Sequence, residues 1–577
     1  VPAPALAAWL DGFLSAYYRY HPVNATFIGV HGYDDRLPDY SPAGVDEAAS
    51  AADALLGALR TLPEEPLGAA EEIDRRLAEG VLAIERWERE SAHGHRGNPC
   101  VYTGEALFGV IGLMLRPFRP LGERLECATA RLSAIPAFLE QGRRNVREAP
   151  SAWIDRALRE CAGARLLLAG GIDLWIRDAG IAAPALRHAA ARAAEAFAAF
   201  QHHLETALRA RATEQYACGS DALALLLRSG HCLDQSADEI AAYAEQQIAA
   251  RERALAAGAA ALGAPSPQAA LARLLDRHPS GAAYYDRFGE MWAAARNAAL
   301  ARDLVTWPDY PIRYVPQPTW VRAAAPYLYF IPYRSPAPFD AVPIVEYHVP
   351  PVEPAMPEAE QLRRLRAAND SVIKLNHVIH HGGLGHHVQN WYAYRTASRI
   401  GRIAAVDCAS RIAMLCGGTM AEGWACYATD LMDEHGFLDP LEQLAHRHAR
   451  LRQAVRALVD VRLHQGALSL DQAIAWYRDR AGLSPDAARA EAVKNSLFPG
   501  TALVYLVGTD MIHALRRALL PRPGFTLRSF HDRLLSHGSV PVALARACML
   551  RGDGAGDAPP AAGPEGPAVS SARLRPS

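Results

Sequence analysis

Apolar residues recur at helical spacing along most of the chain. Residues 5–20 read as one amphipathic helix, and alanine-rich stretches with the same period fill 43–92, 122–148 and 152–215. The segment 21–42, punctuated by prolines and an Asp-Asp pair, is expected as a loop. Residues 219–255 predict a helix pair whose second member starts at Ser236, with Glu239 three positions on completing a capping box. Between 304 and 355 the pattern changes. LVTWPDYPIRYVPQP, YLYFIPYR and VPIVEYHVPP are short, aromatic and β-branched, with prolines between them, and predict a small sheet. Helical periodicity returns in QLRRLRAANDSVIKLNHVIHH, stops at the glycine pair 382–383 and restarts near Gly385. Further helices are expected at 402–416, 420–435, 440–466, 470–480, 485–495, 501–519 and 526–536. The Gly/Ala/Pro-rich tail 552–577 is expected to be disordered.

The 577 residues allow one large helical enzyme with lobes: a single domain over 1–551, its N-terminal lobe near 1–300 and its site-bearing lobe near 301–551. Half the residues are apolar, enough for a sizeable core. A formal charge of −2 argues against a nucleic-acid partner, and no apolar run is long enough for a membrane span. Asp11 falls too early for a secretory leader, although a chain beginning at Val1 leaves a removed leader open. Nine cysteines without a CxxC pair fit reduced thiols, so a cytoplasmic location is expected. Only Lys374 and Lys494 among sixty basic side chains are lysine. Where arginine is the default, a retained lysine marks places where a planar guanidinium does not serve.

The densest chemistry is HVIHHGGLGHHVQNW, with His377, His380, His381, His386 and His387 within eleven positions. His377 shares a helical face with His380 or His381, the spacing by which two imidazoles grip one zinc. His386 and His387 lie beyond the glycines, and only a kink brings them back. The plain alternative is histidines at a helix end, where the dipole favours their charged form. A third ligand is often a carboxylate from another helix, and GGTMAEGWACYATDLMDEHG offers Glu422. Thr419 and Glu422 also spell a capping box, which is as good a reason for that glutamate. Asp430 and Glu434 are expected to be solvated.

These pieces together resemble the bacterial family called domain of unknown function 885, whose members look like zinc-dependent peptidases. The family pattern HExxPGHHxQ is similar to HHGGLGHHVQ (380–389), EGWAxYA to EGWACYA (422–428), PGQA followed by Tyr to PGTALVY (499–505), and FHD with Gly-x-x-Pro to FHDRLLSHGSVP (530–541). HPVNATFIGVHGYDDRLPDYSP looks like the family's opening stretch. The resemblance implies a mainly α, two-lobed metallopeptidase-like fold with a small β-sheet near 304–350, and makes Glu422 the carboxylate partner of the histidines. Departures gather at the site. His381 stands where the family has the glutamate that activates water, Leu384 replaces the proline and Thr501 the glutamine, and Lys494 is the basic residue before them.

The first functional expectation is a metal-dependent hydrolase of the peptidase or amidase type acting on a small-molecule or peptide-like substrate. His380, His386 or His387, and Glu422 would hold Zn2+, with Fe2+ or Mn2+ as alternatives and His377 as an additional candidate ligand. His381 would act as base. Lys494 or Tyr505 would stabilise an oxyanion, Lys494 being alternatively a holder of a substrate carboxylate. The second expectation is a non-hydrolytic metalloenzyme, a lyase, cyclase or oxygen-using enzyme, on the same scaffold. The third is a catalytically inactive binding protein. Among weaker candidates, Cys426 reads as a core cysteine, His531 as packing and His537 as a pocket candidate, while Arg395, Arg399 and Arg402 pair with Asp407 or, alternatively, read an acidic substrate.

Overall fold

Helices carry most of the chain, as the periodicity requires, in a computed structural model that describes residues 4–309, 311–328, 333–334, 337–340, 345–404 and 413–552. The tail from 553 and Asp407 therefore lie outside the described residues. Among the described residues one sheet has more than two strands, and it is small and open. Ile312–Pro316 runs parallel to Val345–Val349, and Tyr333–Arg334 pairs antiparallel on the other side of that central strand. Tyr314 and Tyr347 are register partners, and both hydroxyls reach the histidine helix: Tyr314 donates to the His377 carbonyl at 3.0 Å, and Tyr347 bonds His377 Nδ1 at 2.6 Å. The sheet thus braces the site.

Several elements differ from the sequence reading. The expected loop 21–42 contains a helix, Pro22–Ile28, started by proline and stopped by Gly29 at φ 91°. Helices at Pro99–Leu115 and Tyr284–Ala301 were not signalled; the first is apolar on nearly every face, so it carries no periodic contrast. The run before the histidines is interrupted, since Asn369 accepts from the Ser371 and Val372 amides and begins a new helix there. The expected helix 402–416 is described only as Arg399–Ile403 and a turn at Ala413–Gly417.

One core cluster joins Leu6, Phe13 and Leu77 near the start to Phe288, Val378, Trp391, Trp424 and Leu534, so early helices pack directly on those that carry the site. The Glu422 helix (Gly418–Glu434) lies along the Tyr505 helix (Val504–Leu519). Glycines make that approach: a Cβ on Gly508 would sit 2.2 Å from the Thr419 carbonyl oxygen, and one on Gly423 would sit 2.6 Å from Gly508. The glycine of EGWACYA therefore lets a second backbone come close. Thr419 is no cap. The helix starts one residue earlier, and its hydroxyl accepts from the Val542 amide at 3.1 Å.

Away from the site, His31 ties the N-terminal loop to the segment before the central strand. Nδ1 lies 3.1 Å from Asp34 and Nε2 2.6 Å from Asp340. Burial disfavours the charged ring, but hydrogen bonds to Asp34 and Asp340 win, and the pKa is raised. A proton held more tightly in the folded state stabilises fully below the ring's ordinary value of about 6.5 and is lost as pH rises through the folded value. Thermal melts across about pH 5–9 are expected to show that alkaline loss in the wild type and a flatter profile in His31→Gln. An unchanged slope would remove His31 from the account.

Candidate metal centre

The histidine helix (Ile373–Gly382) is wound as a π-helix, and its last turn closes through the Gly383 amide onto the Val378 carbonyl. The chain then breaks and restarts as His386–Ala393. Gly385 is required at the break, since a Cβ there would lie 1.9 Å from the His380 carbonyl oxygen. Indole donors pin the bend on both sides: Trp292 to the Gly382 carbonyl at 2.7 Å and Trp424 to that of Leu384 at 2.8 Å. The outcome is the predicted kink. His386 folds back so that ligating nitrogens of His380, His381 and His386 lie within 4.8 Å of one another.

Glu422 reaches the same point from its own helix. Its Oε2 lies 3.3 Å from His380 Nε2 and 3.5 Å from His386 Nε2. That oxygen is buried and has no hydrogen-bond partner, whereas Oε1 accepts from the Tyr505 hydroxyl at 2.9 Å. Donor atoms held about 2.0–2.2 Å from a tetrahedral zinc stand about 3.3–3.6 Å apart, so these two separations suit a shared ion. Protonation suits it as well. Burial lowers the His380 pKa against the pull of Glu422, and burial with His380 and His386 beside it holds His381 well below the usual range. Burial alone would raise Glu422, but the two imidazoles hold its carboxyl well below the ordinary value. Neutral imidazoles at His380 and His381 beside an anionic Glu422 are the ligand forms a metal takes.

His381 Nδ1 donates to the Asn376 carbonyl at 2.7 Å, which fixes the tautomer with Nε2 as the acceptor nitrogen. The other predicted residues are placed as follows. His377 turns to the sheet and Tyr347, its pKa lowered by burial to about 4. His387 is fully buried on the Trp307 side, ring centroids 6.4 Å apart. Lys494 lies on the helix Pro485–Leu497, just before the Pro499-Gly500 turn that leads to Tyr505. Cys426 is buried with its thiol pushed up to about 12, and Gln453 Nε2 contacts its sulfur at 3.0 Å. His531 bonds the Leu304 carbonyl and the Tyr427 hydroxyl, a packing role, and His537 Nδ1 is spent on the Arg533 carbonyl. Arg395 meets Asp309 at 3.4 Å and Arg399 meets Asp11 at 2.7 Å. Asp430, read as solvated, is instead clamped between His446 at 2.7 Å and His513 at 2.8 Å. Lys374, the other retained lysine, places its compact ammonium 2.6 Å from Glu442 and over the Phe437 ring.

Sequence reasoning missed three supports. Asp460 is fully buried and accepts from the Gly500, Ala502 and Leu503 amides at 2.9, 2.8 and 3.0 Å, fixing the turn into the Tyr505 helix. Arg456 lies over the Tyr505 ring, 4.8 Å from its centroid, and forks onto Glu491 at 2.8 and 2.6 Å. Arg452, one turn earlier, sits beside them. Each lies on the arginine-rich helix Pro440–His464, where nothing in the sequence separates a site arginine from its neighbours.

Fold and site define a mainly helical protein with a small open sheet and a histidine cluster able to coordinate a metal. The chain belongs to the family of bacterial proteins of unknown function DUF885, whose model matches residues 22–549. Among solved structures it is similar to a "putative lipoprotein of unknown function" from Shewanella oneidensis, with TM-score 0.75 and 20% identity over 94% of this chain and 99% of that one. It is also similar to a "putative lipoprotein" from Colwellia psychrerythraea, with TM-score 0.73 and 17% identity over 95% and 99% of the two chains. No curated protein matches. Those lipoprotein descriptions overturn the cytoplasmic location expected above. The cysteines carried that expectation, but Cys161, Cys416, Cys426 and Cys548 are buried free thiols, and packing keeps a buried thiol unpaired in any compartment. Among the described residues no helix is long and apolar enough to cross a membrane.

Proposed function

We propose that the protein is a metal-dependent hydrolase of the peptidase or amidase type. One observation carries the reading: the buried, unpartnered Oε2 of Glu422 facing the nitrogens of His380 and His386. These three residues would hold a zinc-like ion, which when bound supplies Lewis-acid polarisation of a substrate carbonyl. His381 replaces the family glutamate as base. Its tautomer is set by Asn376, and Nε2 takes the proton of the attacking water. Tyr505 orients Glu422 through Oε1 in the resting site, and its service as an oxyanion donor requires that bond to be released. Residues 1–551 act as one catalytic unit in this reading, with lobes near 1–300 and 301–551.

A second reading has its own observation. The His381 ring lies in the cluster with His380 and His386, so it can join them as a third imidazole ligand. A three-histidine, one-carboxylate site without a separate base suits iron or manganese and non-hydrolytic chemistry. Metal analysis of the purified protein, coupled to a hydrolysis screen over peptides and amino-acid conjugates, separates the two. Zinc at about one per chain, and hydrolysis that His381→Ala lowers by about 10²–10⁴-fold, is the expected result. His381→Glu is expected to retain the metal and keep or raise hydrolysis. Iron with activity only in air would favour the second reading, and no metal at all would leave a binding protein.

A further inference from the structure

Behind Tyr505 the charges do not balance. Glu491 gives both carboxylate oxygens to the Arg456 fork, and burial, which would raise its carboxyl, is outweighed by Arg456, then Arg452 and Lys494, leaving it at about 2. Arg452 and Lys494 have no ion pair of their own among the described residues, and Arg452 Nε is buried without a hydrogen-bond partner. The Arg452 guanidinium lies within electrostatic reach of Arg456, Glu491, Tyr505 and Cys426, on the same helical face as Arg456. Burial and the like charge of Arg456 disfavour its cation. Three cations therefore surround one carboxylate that is already taken, and two charges are left over. Arg452 is half-buried, and a buried Nε left without a hydrogen-bond partner is costly, while the planar fork of a guanidinium matches a carboxylate. The Tyr505 ring lies between the Arg456 guanidinium of this cluster and Glu422.

We propose that Arg452 and Lys494 form an anion subsite that receives a carboxylate of the substrate, beside the histidine–glutamate cluster. The proposal rests on the hydrolase reading for what the carboxylate belongs to: the free C-terminus of a short peptide, or an acidic side chain next to the bond attacked. It also explains why a lysine persists at 494 in a chain that otherwise uses arginine, since Arg456 and Arg452 already supply the flat forks and a compact ammonium completes the pocket.

Calorimetric titration of the zinc-loaded full chain tests this without requiring turnover. The probes are N-benzoyl-Gly-Phe with a free C-terminus, its C-terminal amide, and N-benzoyl-Gly-Glu amide. The free acid or the Glu amide is expected to bind at least tenfold more tightly than the Phe amide, and which of the two does so identifies the source of the carboxylate. Arg452→Met and Lys494→Met are each expected to erase that preference while leaving metal content and Phe-amide binding unchanged. Lys494→Met, in the last turn of a different helix, keeps the test decisive where Arg452→Met unfolds. Equal binding of all three probes, absence of binding by any, or a preference that survives both variants overturns the proposal. Metal content and hydrolysis, measured separately, judge the hydrolase reading.

Discussion

Glutamine at position 422 is expected to leave the purified protein without its metal, with affinity down roughly a thousandfold or more and hydrolysis lost with it, beyond the 10–100-fold that removal of a mere supporting group costs. One oxygen decides the outcome. Oε2 of Glu422 is buried, lacks a hydrogen-bond partner and points at two imidazole nitrogens whose separations from it suit a tetrahedral ion. Glutamine keeps the shape and can still accept the Tyr505 hydroxyl bond at Oε1, so fold and packing survive while the anionic donor disappears. His386→Ala is expected to behave alike. His377→Gln is the contrast, because its ring is engaged by Tyr347 on the sheet side, and it is expected to keep the metal. Elemental analysis after dialysis against a weak chelator reads all three. A Glu422→Gln protein that retains one ion per chain would sink the proposed centre.

How much of this was legible depends on the kind of signal. The hinge was, because two glycines between histidines state a break in one dimension, and the structure bends there with Gly385 pressed on the His380 carbonyl. Glu422 was legible only through its motif, since its local reading as a cap was equally good and proved wrong: the helix had already begun at Gly418. Choosing between His386 and His387 needed the bend itself, which turns one ring to the cluster and the next to Trp307. Asp430 was misread because a polar residue on a helix looks solvated until the helices covering it are known, and here His446 and His513 arrive from two of them. Arg452 and Arg456 were invisible for a compositional reason. Arginine is the default cation of this chain, so its presence on the Pro440–His464 helix says nothing until Glu491, far along the sequence, is found to satisfy one and not the other.

Removal of the Asp460 carboxylate is expected to cost about 3–5 kcal/mol of stability and to weaken metal binding although Asp460 touches no ligand. It is fully buried and collects the Gly500, Ala502 and Leu503 amides, while His231 bonds the Gly500 carbonyl at 2.8 Å. Gly500 sits at φ 75°, so the turn is a shape that other residues resist and that these bonds hold. Asp460→Ala strands three buried N–H groups, each worth about 1–3 kcal/mol when unsatisfied. Asp460→Asn restores an acceptor toward Ala502 and Leu503 but turns its NH2 toward the Gly500 amide, so an intermediate loss is expected. The turn feeds the helix that carries Tyr505, whose hydroxyl orients Glu422. A displaced Tyr505 frees the carboxylate to rotate, and metal affinity is expected to fall about 10–100-fold, the usual effect of losing a group that orients a ligand. Urea midpoints report the first effect, and zinc affinity measured where every variant is fully folded reports the second. Tyr505→Phe completes the argument: it should reproduce the affinity loss with little of the stability loss. If Asp460→Ala unfolds more easily yet binds zinc as tightly as the wild type, the path from the buried carboxylate through Tyr505 to the metal site does not exist.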